Sequence, residues 1–112
     1  WYHFGQADLL EAASMTAHAC HMTHPEDVSK LLRLVTEDGA HTLGLEDYGI
    51  AIHKPANLVL LQAKGDFDAI RLKPRRLWVM RHGKVLAEDT PSSPLLHLGD
   101  HEENIDFCNP GF

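Results

Sequence analysis

Cysteine, positive charge and long apolar runs are all scarce in this chain, and each scarcity excludes a class of protein. The two cysteines, Cys20 and Cys108, form no CxxC pair, which favours a reduced, cytoplasmic setting and leaves a single disulfide open. No apolar run approaches the ~18 residues of a membrane-spanning helix, so we expect no membrane partner. Motifs of phosphate, dinucleotide and zinc sites (GxxxxGKS/T, GxGxxG, HExxH) are also missing.

The charge balance argues against general nucleic-acid binding. Ten Lys and Arg residues face 16 Asp and Glu residues, which gives a net charge of −6 at pH 7. The densest basic stretch, residues 71–81, is interpreted as the basic face of a strand. The 112 residues are 44% hydrophobic, which predicts a globular chain, long enough for one domain. Because it opens on Trp-Tyr-His-Phe-Gly without Met, we expect a piece of a longer protein.

Residues 7–23 predict a first helix. Polar side chains recur along it at three- and four-residue steps, which predicts a solvent-facing stripe. The stripe consists of Asp8, Glu11, Ser14, His18 and His21. Small residues make up most of the opposite side, so the helix can lie close against a neighbour. Cys20 is interpreted there as a small buried hydrophobe.

A second helix is predicted over residues 25–35, with its apolar residues on one face. Thr23 and Glu26 fit a capping box, and Pro25 suits the first turn of a helix. Gly39 marks the limit that local rules set for this helix.

The second half of the chain predicts short strands. Residues 50–52, 58–61, 77–81 and 84–88 have strand character, and residues 58–61 are uniformly apolar, as in a buried strand. His82 and Gly83 predict a two-residue hairpin turn in which Gly83 supplies a positive φ. Residues 66–72 predict a helical turn and residues 95–98 a last strand, whereas residues 99–112 show only an acidic, unpatterned tail.

Between the two halves lie an Ala-x-x-Leu-Gly-Leu helix end, a Gly-Ile pair and a Lys-Pro-Ala-Asn-Leu-Val run. The residues are Ala40, Leu43, Gly44, Leu45, Gly49, Ile50, Lys54, Pro55, Ala56, Asn57, Leu58 and Val59. This series resembles the segment that joins barrel to small β-domain in amidohydrolase-superfamily enzymes. Asn at position 57, together with Glu-Asp-Tyr-Gly at residues 46–49, is similar to the bacterial cytosine deaminases.

The resemblance continues through residues 67–71 and 81–85, and it covers residues 1 to about 88. Two positions depart from the family pattern, because His53 and His82 stand where the family has Gly. A residue with a Cβ is less at ease in such turns. Residues 91–112 match nothing in the family.

The resemblance implies an α+β chain cut from a larger fold. Residues 1–48 would be terminal helices of a (β/α)8 barrel, and residues 49–112 part of a small composite β-sandwich domain with an acidic tail. The resemblance also suggests a separate short helix over residues 36–43, begun at Thr36 and ended by Gly44, and we prefer this to a second helix that continues to Gly39. The implied activity is hydrolytic deamination of an amino-pyrimidine or related ring, with a divalent metal, Fe or Zn, in the intact enzyme. The implied metal ligands lie outside this chain, so no catalytic or metal residue is assigned within it.

Trp1 is the single candidate for substrate contact. In the resembling enzymes a Trp-Tyr pair opens the loop after the last barrel strand, and the Trp lines the pyrimidine pocket. Carried over, Trp1 would stack on the ring, with Tyr2 as its support.

Two other interpretations remain open. His18, Cys20, His21 and His24 crowd into seven residues, but metal-binding helices more often pair His at i and i+4. We therefore assign no metal site to them. The alternative function is a self-standing, non-catalytic α+β interaction or dimerisation module, whose tail would be ordered and would carry the binding surface. In the resembling enzymes the small β-domain takes strands from both ends of the whole chain. Apolar strands without those partners predict either self-association, which we favour, or covering of the sheet by the chain's own helices.

Overall fold

The computed structural model describes residues 5–106, and its fold is α+β, as the sequence predicts. Three helices come first, a fourth lies between strands, and the strands form two antiparallel sheets. The helices are α1 Leu9–Ala19, α2 Pro25–Leu34, α3 Glu37–Thr42 and α4 Asp66–Leu72. The strands are β1 Leu58–Leu61, β2 Arg76–Arg81, β3 Lys84–Glu88, β4 Leu95–Leu98 and β5 His101–Asn104. Within residues 5–106, no helix is both long and apolar enough to cross a bilayer.

The N-cap of helix α1 is Asp8, a residue that was predicted to lie in the solvent-facing stripe. The Asp8 carboxylate accepts a hydrogen bond from the Leu10 amide at 2.9 Å. The buried face is made mostly of small residues, as predicted. It includes Ser14, which is 4% exposed, so the prediction that Ser14 faces solvent is wrong. Cys20 lies beyond the last helical turn and is exposed, so its prediction as a buried hydrophobe is wrong.

Helix α2 contributes the centre of the core. Leu31 is 1% exposed and Val28 is 4% exposed, and both pack in a cluster with Ile70 of α4. The predicted capping box is wrong, because the N-cap is His24, one residue later than Thr23, and no side chain caps the helix. Proline occupies the first turn, as predicted.

Helix α3 and the loop behind it follow the preferred prediction only in part. Thr36 is the N-cap, and Gly44 follows the helix with φ +69°, the left-handed conformation of a helix stop. The predicted strand at residues 50–52 is wrong. Gly49 has φ +109° and His53 has φ +69°, so the chain turns on both sides of a segment too short to pair.

Strands β1, β2 and β3 form one sheet in that order. The turn between β2 and β3 is the predicted hairpin, with φ +49° at His82 and +75° at Gly83, the signature of a type I′ turn. The prediction that residues 58–61 are buried is wrong within this chain. Val59 is 56% exposed and Leu60 is 47% exposed, whereas Leu61 at the end of the strand packs against the main hydrophobic cluster.

The tail was predicted to be unpatterned, and this is wrong, because β4 and β5 pair in a second, two-stranded sheet. Acidic residues lower strand propensity. Two features favour the hairpin nevertheless: Gly99 adopts φ +62° at the turn, and the His97 side chain pairs with Glu102 across the strands at 3.0 Å. The side chain of Gln62 ties the preceding loop to the main sheet. It donates to the Ser92 carbonyl at 2.6 Å and accepts from the Ser92 amide at 2.8 Å.

Candidate functional site

A groove of about 570 Å³ opens between the helices and the first strand of the sheet. Its apolar walls come from α1, α2, the loop at residues 48–50 and β1. The apolar wall residues are Leu9, Leu10, Leu32, Val35, Tyr48, Ile50, Leu58, Val59 and Leu61. The polar residues of the groove are Asp8, Thr36, Glu37, Asn57 and Arg76. A concave apolar surface with few polar groups is the usual form of a binding surface.

An ion pair between Asp8 and Arg76 lies in the groove. The Arg76 guanidinium contacts the same carboxylate oxygen that caps α1. The two side chains are 20% and 34% exposed, so the pair is more shielded than an ordinary surface pair. This contact was not predicted from the sequence, although an Asp directly before Leu9 and Leu10 is a usual sign of a helix start.

Asn57, the last polar residue of the Lys-Pro-Ala-Asn run, holds the β2–β3 hairpin against β1. Its Oδ1 accepts a hydrogen bond from the His82 amide at 2.9 Å. Beside it, the Gly83 amide donates to the Ala56 carbonyl at 3.0 Å. The turn residues are therefore fixed by a motif that lies 25 positions earlier in the sequence.

We expect Asn57→Asp to leave stability almost unchanged and Asn57→Ala to lower it by about 1 kcal/mol. The contact uses only the side-chain acceptor, which a carboxylate also provides, whereas Ala leaves the His82 amide without it. Urea unfolding of both variants measures the difference. Equal losses for Asp and Ala would show that the amide nitrogen of Asn57, not its oxygen, is the important group.

The two departures from the family pattern adopt the geometry that Gly favours. His53 and His82 have φ +69° and +49°, so both turns keep a left-handed residue despite the Cβ. Downstream of His53, Lys54 donates to the Glu46 carbonyl and pairs with Asp47 at 3.8 Å. These contacts close the loop between α3 and β1.

Trp1, the predicted substrate contact, lies outside the described residues and stays a prediction. It stands seven positions before Asp8 in the sequence.

The histidine cluster is exposed and dispersed. His18, His21 and His24 are all exposed, and the His18 ring nitrogen Nδ1 lies 2.7 Å from the Ser14 carbonyl oxygen. Over residues 5–106, no three His, Cys, Asp or Glu side chains come together as a metal site would require. The described residues therefore do not provide a donor set for the divalent metal that the resemblance implies.

Replacing His18 by Gln and His21 by Asn is expected to change the free energy of unfolding by less than about 0.5 kcal/mol, as at ordinary surface sites. Asn is chosen at position 21 because His21 has φ +54°, a conformation that Asn tolerates. Thermal unfolding with and without added zinc tests this. A large loss of stability in the double variant would contradict the expectation. So would a zinc-dependent shift in unfolding temperature that the original chain shows and the double variant does not.

No protein-family model matches the chain. Individual proteins, however, do match the chain. It is 30% identical over 90 residues to N-isopropylammelide isopropyl amidohydrolase of Pseudomonas sp., covering 80% of this chain and 22% of that protein. It is 33% identical over 92 residues to pterin deaminase of Rhizobium rhizogenes, covering 81% of this chain and 21% of that protein.

Solved structures give the same result. The chain superposes on 5-methylcytosine deaminase from Klebsiella pneumoniae, liganded with 5-fluorocytosine, with a TM-score of 0.76 and 38% identity. That match covers 82% of this chain and 22% of the deaminase chain. The same deaminase liganded with phosphonocytosine matches with a TM-score of 0.74 and 36% identity.

The chain thus spans about a fifth of the length of the proteins it matches, which are an isopropylammelide hydrolase, a pterin deaminase and a 5-methylcytosine deaminase. Their identities confirm the resemblance that the central motif predicted. The relatives and structural neighbours are thus amidohydrolase-family deaminases, and this chain matches them as a partial chain of the cytosine deaminase type.

Proposed function

We propose that this chain is the C-terminal portion of a metal-dependent amidohydrolase that deaminates an amino-pyrimidine or a related ring by hydrolysis, releasing ammonia. The observation that carries the proposal is the match to 5-methylcytosine deaminase, at 38% identity over 82% of this chain. Both matched structures of that enzyme hold cytosine analogues.

Within the proposed enzyme, residues 1–48 belong to the barrel and residues 49–112 to the small β-domain. The groove and β1 then form the seam with the rest of the enzyme. Ile50 and Ile52 are 91% and 87% exposed, and such side chains are seldom left in water on a complete protein surface. The matched proteins are more than four times as long as the matched segment, so ample chain remains to cover this surface.

The metal of the proposed enzyme takes its ligands from the remainder of the protein, as the resemblance implies. The contribution of this chain to substrate binding is Trp1, whose indole face suits a flat heteroaromatic ring.

Ammonia release from cytosine tests the proposal at two lengths. We expect no turnover from the 112-residue chain, with or without iron or zinc, and metal-dependent turnover from the longer protein that contains it. In the longer protein, Trp1→Ala is expected to raise KM about tenfold, while Trp1→Phe keeps a flat ring and changes it less. Turnover by the 112-residue chain, or none by the longer protein on any amino-substituted pyrimidine or pterin, would contradict the proposal.

One observation favours the second candidate, a non-catalytic interaction module. The hairpin β4–β5 is formed in the part of the chain that the family resemblance leaves unmatched, and Leu98 on it is 59% exposed. For an interaction module, deletion of residues 95–106 would abolish binding to a partner. In the proposed enzyme, Trp1→Ala affects deamination whether or not the hairpin is intact.

A further inference from the structure

We propose that the β4–β5 hairpin is an arm by which the chain binds a second copy of itself. Its docking site is the outer face of the partner's main sheet, the side turned away from the helices, which carries Leu58, Leu60 and Trp78. Every copy has both the arm and the face, so two copies exchange arms about a twofold axis. The proposal concerns assembly and does not rest on the proposed catalytic function.

The arm projects from the body of the chain. Its two strands pack on each other, and neither makes a contact of similar extent with another described helix or strand. All residues from 95 to 104 are exposed. The radius of gyration is 16.5 Å, whereas a compact chain of this length has about 13 Å. The arm is therefore scarcely packed against the rest of the described chain.

One face of the arm is apolar and acidic. Residues that pair across an antiparallel hairpin share a face, and neighbours along a strand alternate between faces. Leu96 and Leu98 therefore lie on one face with Glu103, the register partner of Leu96. Leu95 lies on the other face with His97. Since Leu98 is 59% exposed, the first face has apolar surface that a partner can bury.

The outer face of the main sheet is also apolar and exposed. Leu61 packs against the hydrophobic cluster, so the alternate residues Leu58 and Leu60 lie on the side away from the helices. Trp78 pairs with Leu60 in register and shares that side. Its Nε1 donates to Glu88 Oε1 at 3.3 Å, which orients the ring. Trp78 is 45% exposed although it lies on the central strand, and tryptophan is enriched where proteins bind one another most tightly.

The charges of the arm and of the sheet are complementary. On the arm, Asp100 and Glu103 take part in none of the ion pairs between described residues. The same holds for Arg81 and Lys84, which lie beside the β2–β3 turn at one end of the main sheet. Opposite charges on two surfaces steer them together and fix their register. An acidic arm thus suits the basic end of a sheet.

The arm leaves its own sheet at the opposite end. Gln62, which directly follows β1, binds both backbone groups of Ser92 and fixes the root of the arm there. When two β1 strands pair antiparallel about a twofold axis, the end of one lies beside the start of the other. The arm of one copy then begins next to the partner's Leu58. In each copy the register partner of Leu58 is Met80, which directly precedes Arg81, so the arm arrives at the basic end of the other sheet.

The arm is long enough for this contact. A strand rises about 3.3 Å per residue, so the four residues of β4 span about 13 Å. Neighbouring strands lie about 4.8 Å apart, and β2, which carries Trp78, is the strand next to β1. The apolar face of the arm therefore reaches the partner's Trp78 across a single strand.

Sedimentation of the 112-residue chain tests the arm. Leu98→Lys is expected to raise the dissociation constant about tenfold or more, because it puts a charge where an apolar side chain is buried. Leu95→Lys is the matched control, since Leu95 is on the same strand, is 46% exposed and lies on the other face. We expect the control to stay within about threefold of the original chain. Equal dissociation constants for the two variants would overturn the proposal.

Mixing two variants shows whether the arm binds a second copy. The Leu98→Lys chain keeps its outer face, and the Trp78→Lys chain keeps its arm. A mixed pair therefore retains one arm contact, whereas neither variant retains any when it pairs with itself. We expect the mixed pair to have a dissociation constant about tenfold lower than either variant alone. A mixture that associates no more tightly than its components would overturn the proposal.

Tryptophan fluorescence needs no substitution in the contact itself. Trp1→Phe leaves Trp78 as the only tryptophan, because the chain contains two. We expect the emission of Trp78 to move to shorter wavelength as the chain is concentrated, since the arm of a second copy removes the indole from water. Adding Leu98→Lys should shift this change to about tenfold higher concentration. Emission that is the same at all concentrations, as when the chain's own arm covers Trp78, would overturn the proposal.

Discussion

Leu31→Ala is expected to destabilise the chain by about 2–5 kcal/mol, several times the effect of an ordinary surface substitution. Leu31 is 1% exposed, and it lies between α1 and α4 in the main hydrophobic cluster. Removing its side chain loses the burial of apolar surface and leaves a cavity among neighbours that include Ala13 and Ala17. Alanines cannot collapse far into the space, because they have no side chain to rearrange.

The matched control is Leu34→Ala on the same helix. Leu34 is 53% exposed, so its truncation removes little buried surface, and we expect less than about 0.5 kcal/mol. Urea unfolding followed by helical circular dichroism compares the two. The free energy of unfolding of a complete domain is about 5–15 kcal/mol. We expect a lower value for this chain, because it exposes so much apolar surface. Leu31→Ala is therefore expected to unfold most of the population. Equal losses for Leu31 and Leu34 would show that α2 does not pack as the structure has it.

Periodicity predicted helices α1 and α2 because each one carries its pattern within itself. The spacing of Val28, Leu31 and Val35 puts them on one face whatever they contact, and that face is buried or partly buried. The same holds for the β2–β3 hairpin, where Gly83 in a two-residue turn is sufficient to define the connection.

Predictions failed where the outcome depends on a distant partner. Ile50 and Ile52 have strand-like spacing, but a strand requires a neighbour, and none of the described residues pairs with them. Ser14 is buried although its spacing fits the polar stripe, because it also lies four residues after Leu10 and three before Ala17, on the face of α1 that packs in the core. Cys20 is exposed because α1 ends one residue before it.

The candidate site was predicted from resemblance more than from chemistry. The central motif identified the family, yet it gave no role to Asn57, whose contact with His82 appears only when the chain folds. Asp8 and Arg76 are common surface residues in a sequence, and their pairing across 68 positions has no local signal. Pairs of this kind need coordinates or covariation to be found.

We expect the isolated chain to self-associate through the edge of β1, and Val59→Lys to weaken that association at least about tenfold. Within residues 5–106, β1 pairs only with β2, so its outer edge offers free backbone groups. The strand reads Leu-Val-Leu-Leu without a charge, whereas the other edge strand, β3, begins with Lys84 and ends with Glu88. Charged residues on an edge oppose pairing between sheets, and β1 lacks them.

A second copy is the occupant that this edge suits, because two identical uncharged strands can pair antiparallel about a twofold axis without repulsion. Burying Val59 and Leu60, which are 56% and 47% exposed, contributes about 1.5–3 kcal/mol per large side chain, and each 1.4 kcal/mol is about a tenfold change in affinity. Leu86→Lys is the control, since Leu86 is 60% exposed on the opposite edge. Sedimentation across a range of concentrations measures the dissociation constant of each variant. A monomer at all concentrations, or equal weakening by Val59→Lys and Leu86→Lys, would show that β1 is not the self-associating edge.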